Sequence, residues 1–117
     1  MASDAAIAFV PTGKTIVVPA AAVAPAGVQA AVPTSYNNQD AGQYRIVNAG
    51  AVIVHIGVGS TAAQAQANAV AAVAGTGQFS IPILPNAVEV LRFAPGSFFS
   101  GIAAAAATVY VTPGQGL

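Results

Sequence analysis

The chain has 117 residues, with three Lys or Arg, three Asp or Glu, one His and no Cys. Charged residues make up 5% of it, against roughly 25% in an average soluble domain, and the length suits one domain rather than two. Zero cysteines exclude disulfides, thiolate nucleophiles and cysteine-held zinc or iron–sulfur centres. A formal net charge of +0 with no basic run lacks the electrostatic footprint of a nucleic-acid or acidic-membrane binder.

So few charges leave a surface with little to oppose association, and much of the 56% hydrophobic content is alanine, which packs closely against another surface. The expectation is a subunit of an assembly, most simply a symmetric homo-oligomer. The uncharged stretch between Arg45 and Glu89 is too interrupted by Asn48, His55, Gln64, Gln66 and Asn68 to read as a membrane span. The N-terminal residues lack the basic region of a secretory signal.

In chain order, residues 1–13 carry little periodic signal and read as a flexible end, followed by one domain over residues 14–117. Residues 14–19 read as a β-branched strand closed by Pro19. Residues 20–26 read as a loop, because Pro19 and Pro25 leave no room for a helix, and they belong to an Ala/Pro-rich segment over 19–33. Residues 28–32 are a second strand, and 36–42 a polar loop. Residues 44–48 and 52–58, joined at Ala49-Gly50, read as a hairpin, with Val52, Val54, Ile56 and Val58 facing the core and Ile53, His55 and Gly57 facing away. Residues 60–73 form the one helical candidate, capped by Ser60 or Thr61. Residues 79–83 follow as a strand with Phe79, Ile81 and Ile83 on one face and Pro82 marking it as an edge. Turns at Pro85-Asn86 and Pro95-Gly96, the latter ordered for type II, bracket a strand over 88–93. Strands over 98–103 and 107–112 end the pattern, with Val109 and Val111 facing in and Pro113-Gly114 as the stop. About eight short strands and at most one short helix predict an all-β fold, an antiparallel, jelly-roll-like β-sandwich.

Chemistry is sparse. The motif Gly57-Val-Gly59-Ser-Thr-Ala62 follows a strand as a phosphate-binding fingerprint does, but no acidic residue lies about 20 positions on and the strands around it do not alternate with helices. Its glycines read as a strand end leaving the sheet. His55 has no sequence neighbour able to serve as nucleophile, acid or metal co-ligand, and it reads as a structural or interface residue that could make an oligomer pH-sensitive on a symmetry axis. Glu89 and Arg92 lie on opposite faces of their strand, which suits a salt bridge to a neighbouring strand or subunit. No catalytic, cofactor or metal site is expected. The candidate interface residues are Tyr36, His55, Phe98, Phe99 and Tyr110, with one of the two adjacent phenylalanines in the core and the other pointing outward.

Residues 43–50 (QYRIVNAG), 52–60, 83–93 (ILPNAVEVLRF) and 107–117 (ATVYVTPGQGL) resemble small virion structural proteins of tailed bacteriophages, the capsid decoration or cement type. The resemblance implies a β-rich domain, often a trimer, that sits on the virion surface and clamps the major capsid protein, and it carries over no functional residue. The alternative is a head-fibre or tail-associated module that binds a host receptor or glycan, for which Tyr36 or Tyr110 in a shallow groove would be the signature.

Overall fold

A computed structural model describes residues 9–30 and 42–115. Nine strands and one helix are present among them: β1 (Val10–Pro11), β2 (Ile16–Ala21), β3 (Val28–Gln29), β4 (Gln43–Asn48), β5 (Val54–Gly59), α1 (Ala62–Asn68), β6 (Ile81–Ile83), β7 (Val88–Arg92), β8 (Phe98–Ala103) and β9 (Ala107–Gln115). They form one nearly closed sheet in the order β6-β5-β8-β2-β9-β4-β7, with β1 added to β9 and β3 to β8. The β-rich fold with one short helix agrees with the sequence pattern. The sheet is not purely antiparallel, however, because β2 and β8 run parallel over two residue pairs, Ala20 with Gly101 and Ala21 with Ile102.

Alternation places the core. Val18, Ile46, Val54, Ile56, Ile83, Val109 and Val111 are fully enclosed or nearly so and form one cluster on the inner face. Tyr44, Phe93 and Phe99 close one end of it, with Tyr44 and Phe99 meeting edge to face at 5.3 Å between ring centroids and Phe93 and Phe99 at 5.5 Å. The Tyr44 hydroxyl accepts a hydrogen bond from the Gly96 amide at 3.1 Å, inside the tight turn that Pro95 and Gly96 (φ 79°) make between Ala94 and Ser97. Burial pushes the Tyr44 phenol above its ordinary value, against a smaller downward pull from the Gly96 and Ser97 amides. Above pH about 10 the unfolded chain therefore loses this proton while the folded chain keeps it, so stability is full below that pH and falls as pH rises past it. Urea midpoints compared at pH 8 and pH 11 are expected to drop less for Tyr44→Phe than for the native chain. An equal drop in both would remove Tyr44 as the cause.

Several expectations are corrected. The hairpin expected from residues 44–48 and 52–58 does not form: β4 pairs with β7 and β9, whereas β5, which begins only at Val54, pairs with β6 and β8. The side chain of Asn48 causes the divergence, since it accepts the Gly50 amide at 2.9 Å and donates to the carbonyls of Val52 and Ile83, both at 2.9 Å. It thereby fixes a wide turn that hands the chain to the other end of the sheet. Strand β2 runs past Pro19 to Ala21, which Pro19 tolerates because pairing with β8 starts only at Ala20. Residues 10–11, expected within a flexible end, pair with Gly114 and Gln115. The same pairing carries β9 through Pro113-Gly114, expected to be its stop. The strand expected over 79–83 begins only at Ile81, so Phe79, expected on one face with Ile81 and Ile83, lies outside β6 and is 86% exposed. The strand expected over 28–32 is seen as β3, and its last two positions lie outside the described residues, as does the polar loop over 36–41.

Candidate functional site

Helix α1 is brief because it buries little. Thr61 caps it, its Oγ1 accepting the Gln64 amide at 3.1 Å, and only Ala65 within it is fully buried. It lies on the outer face of β5 and β8, where Gly57 supplies the space: a Cβ there would stand 2.2 Å from the Ala69 nitrogen and 2.4 Å from the Ala65 oxygen. Asn68 Nδ2 donates to the Val58 carbonyl at 2.9 Å, and Gln66 Nε2 to the Ala24 carbonyl at 2.8 Å. The glycines of the phosphate-like motif therefore serve helix docking, with helix backbone where a ligand phosphate would need to be.

Beyond the helix the same outer face is open. A groove of about 920 Å³ is floored by Ile53, His55 and Ile102 and walled by Ala22, Ala71, the Leu84–Pro85 turn and Ala104. His55 is its one ionisable side chain, half-buried, with Pro82 and Ile102 as its cross-strand neighbours. No group of three or more potential metal-ligating side chains occurs among the described residues. A lone imidazole in an apolar trough can accept or donate one hydrogen bond to a docked group, and no described acid or nucleophile stands with it to form a catalytic set.

A second surface lies on the outer face of the other half of the sheet. Register aligns Val17 with Tyr110, Tyr110 with Val47 and Val47 with Val88, one apolar row across four strands. Val17 is 52%, Tyr110 41% and Val88 48% exposed. Val90 and Arg45 stand side by side in the next row, with Thr112 beyond. Thr112 shares a 2.7 Å hydrogen bond with Thr15.

The sequence-derived candidates do not gather in one patch. His55 lies in the groove and Tyr110 in the exposed row, with β8 and β2 between their strands. Phe99 is fully enclosed and is corrected from interface candidate to core residue. Phe98 is the outward one, half-buried between Gln29 of β3 and Gly59 of β5. Tyr36 lies outside the described residues. Strand pairing sets Glu89 opposite Ile46 and Arg92 opposite Gln43, so neither meets an opposite charge in the ladder. The apolar row escaped sequence reading because its members come from four separate strands. Of its four members only Tyr110 is among the sequence candidates.

No helix among the described residues is long and apolar enough to cross a membrane. No protein-family model, curated protein or solved structure matches this chain.

Proposed function

We propose that this chain is a noncatalytic structural protein that decorates a bacteriophage capsid as a homo-oligomer and stabilises the assembled shell. The observation that carries the reading is the row Val17, Tyr110, Val47 and Val88, an outward apolar surface on paired strands. A flat, weakly charged surface suits a contact repeated many times over a lattice. A protein that binds only the assembled shell shifts the assembly equilibrium toward it by mass action. The partners are then further copies of this chain and the major capsid protein. As part of the same reading, the fold is a jelly-roll-like sandwich with β6-β5-β8 and β2-β9-β4-β7 as its layers. The support is that only two residue pairs join β2 to β8.

Glycan or receptor binding is less well supported, because Tyr110 projects from a sheet face rather than into a groove, and the His55 groove has no aromatic lining residue. Quantitative mass spectrometry of purified, tail-free particles tests the proposal through the copy number of this chain relative to the shell protein. One copy per shell subunit, or a simple fraction of that, is the expected result. A few copies per particle would move the chain to a fibre or tail, and its absence from particles would end the capsid assignment.

A further inference from the structure

The two strands at the ends of the sheet differ in how far they are protected against further pairing. At β6 the central residue is Pro82, which has no N–H to offer an incoming strand, and proline is a common way of blunting an edge. Strand β7 (Val-Glu-Val-Leu-Arg) has no proline and keeps every backbone N–H; its only guards are the charges of Glu89 and Arg92, which limit the registers a partner strand can take. The Ala87 carbonyl accepts from the Asn48 amide and the Phe93 amide donates to the Gly42 carbonyl, so odd-numbered residues of β7 direct their backbone polar groups toward β4. By alternation, the amides and carbonyls of Val88, Val90 and Arg92 point away from β4, and β4 is the only strand that pairs with β7 among the described residues. Val88, Val90 and Arg92 are exposed, as is Glu89.

The geometry points to this edge as the contact between two copies of the chain, joined β7 to β7 as antiparallel strands about a two-fold axis at Val90. The inference rests on the homo-oligomer reading above and specifies its surface. A two-fold perpendicular to the sheet keeps each strand's outer face outward, so paired residues must share parity, which leaves few registers. Centred on Val90, each Val88 meets Arg92 of the second copy, each Glu89 meets Leu91, and the two Val90 residues face each other. All five residues of β7 then pair, and no like charges stand opposite. Centring on Glu89 sets two carboxylates against each other, which destabilises a strand pair. Centring on Leu91 leaves Val88 opposite residue 94, beyond the strand. The elementary contact is therefore two-fold, in place of the three-fold contact expected from the phage resemblance.

Because the chain has no cysteine, one substitution reports on this register. In the two-fold pair the Val90 Cα atoms stand about 5.5 Å apart, inside the 4.4–6.8 Å range of a disulfide. The Val88 Cα atoms stand roughly 14 Å apart, four residues along the strand. Under oxidised glutathione, Val90→Cys is expected to form a linked dimer at least about tenfold faster than Val88→Cys. Both sites are exposed and on the same face, so reactivity alone does not separate them. Alongside, sedimentation equilibrium of the native chain at concentrations on the order of 100 µM is expected to show dimers, and Val90→Lys, with native circular dichroism, monomers. A native oligomer with equal linking rates for the two cysteine variants would overturn the edge pairing and leave the homo-oligomer reading standing. A native chain that stays monomeric would overturn both.

Discussion

Replacing Asn48 by Leu is expected to lower stability by roughly 3 kcal/mol, a large share of the roughly 5–15 kcal/mol that holds a domain together. The Asn48 side chain is fully enclosed and its amide satisfies three backbone groups, the Gly50 N–H and the Val52 and Ile83 carbonyls. Its own backbone completes the junction: its amide donates to Ala87 and its carbonyl accepts from Asn86, at 3.1 and 2.9 Å. One residue thus links β4, the turn at 50–52 and the Leu84–Ala87 turn between the two ends of the sheet. An apolar residue of similar volume keeps the packing but leaves buried polar groups without partners, which costs more than the bonds contributed. Asn48→Asp separates the donors from the volume. A carboxylate still accepts from Gly50 but faces two carbonyls, so at pH 7 the loss should be at least as large as for Leu. The folded-state pKa of the new acid is raised by this setting, so its stability is greatest at low pH and is lost as pH rises through that value. Urea denaturation of both variants at pH 4 and pH 7 tests this. Midpoints within experimental error of the native chain would remove Asn48 from its role as the latch.

Gly57→Ala is expected to be similarly costly, about 2–4 kcal/mol, for a different reason. The added methyl would meet backbone atoms of α1 at distances that real Cβ atoms do not adopt, the nearest at 2.2 Å. Backbone cannot rotate out of the way as a flexible side chain can, so the helix must lift from β5. Its anchors, the Asn68 bond to Val58 and the Gln66 bond to Ala24, would then lengthen or break. Limited proteolysis should cut first within residues 60–75 in this variant, and the urea midpoint should fall. Gly77→Ala is the matched control: nothing lies within 4 Å of its added methyl, and a change of no more than about 0.5 kcal/mol is expected. If the two alanine variants behave alike, the helix is not held by close approach at Gly57.

These two residues also mark where sequence reading succeeded and where it stopped. Strand positions and inward faces were legible because alternation is local: Val54 and Ile56, and Val109 and Val111, are buried as the pattern requires. The Thr61 cap and the turns at Asn86 and Gly96, both with positive φ, were legible through the chemistry of single residues. Strand partners were not. Ala49-Gly50 carries the composition of a hairpin turn, and nothing local reveals that the Asn48 side chain will take the Gly50 amide and the Val52 carbonyl within that turn and reach across to the Ile83 carbonyl of β6. The His55 groove was hidden likewise, since it exists only because α1 covers one part of an outer face and stops short of the rest. Phe79 was grouped on one strand face with Ile81 and Ile83 because the alternation extends back to it, but the strand begins only at Ile81.

The placement of β2 bears on how the molecule is made. It sits in the middle of the sheet between β8 and β9, yet it is synthesised long before either of them. Until residues 98–115 have emerged from the ribosome, β2 has neither of its lateral partners, and β4 lacks β9 as well. Such distant pairings slow folding, because chain closure entropy must be met before the contacts reward it. Unpaired strands exposed meanwhile invite aggregation. The core cluster draws residues from β2, β4, β5, β6, β8 and β9, so it is complete only once β9 has been made.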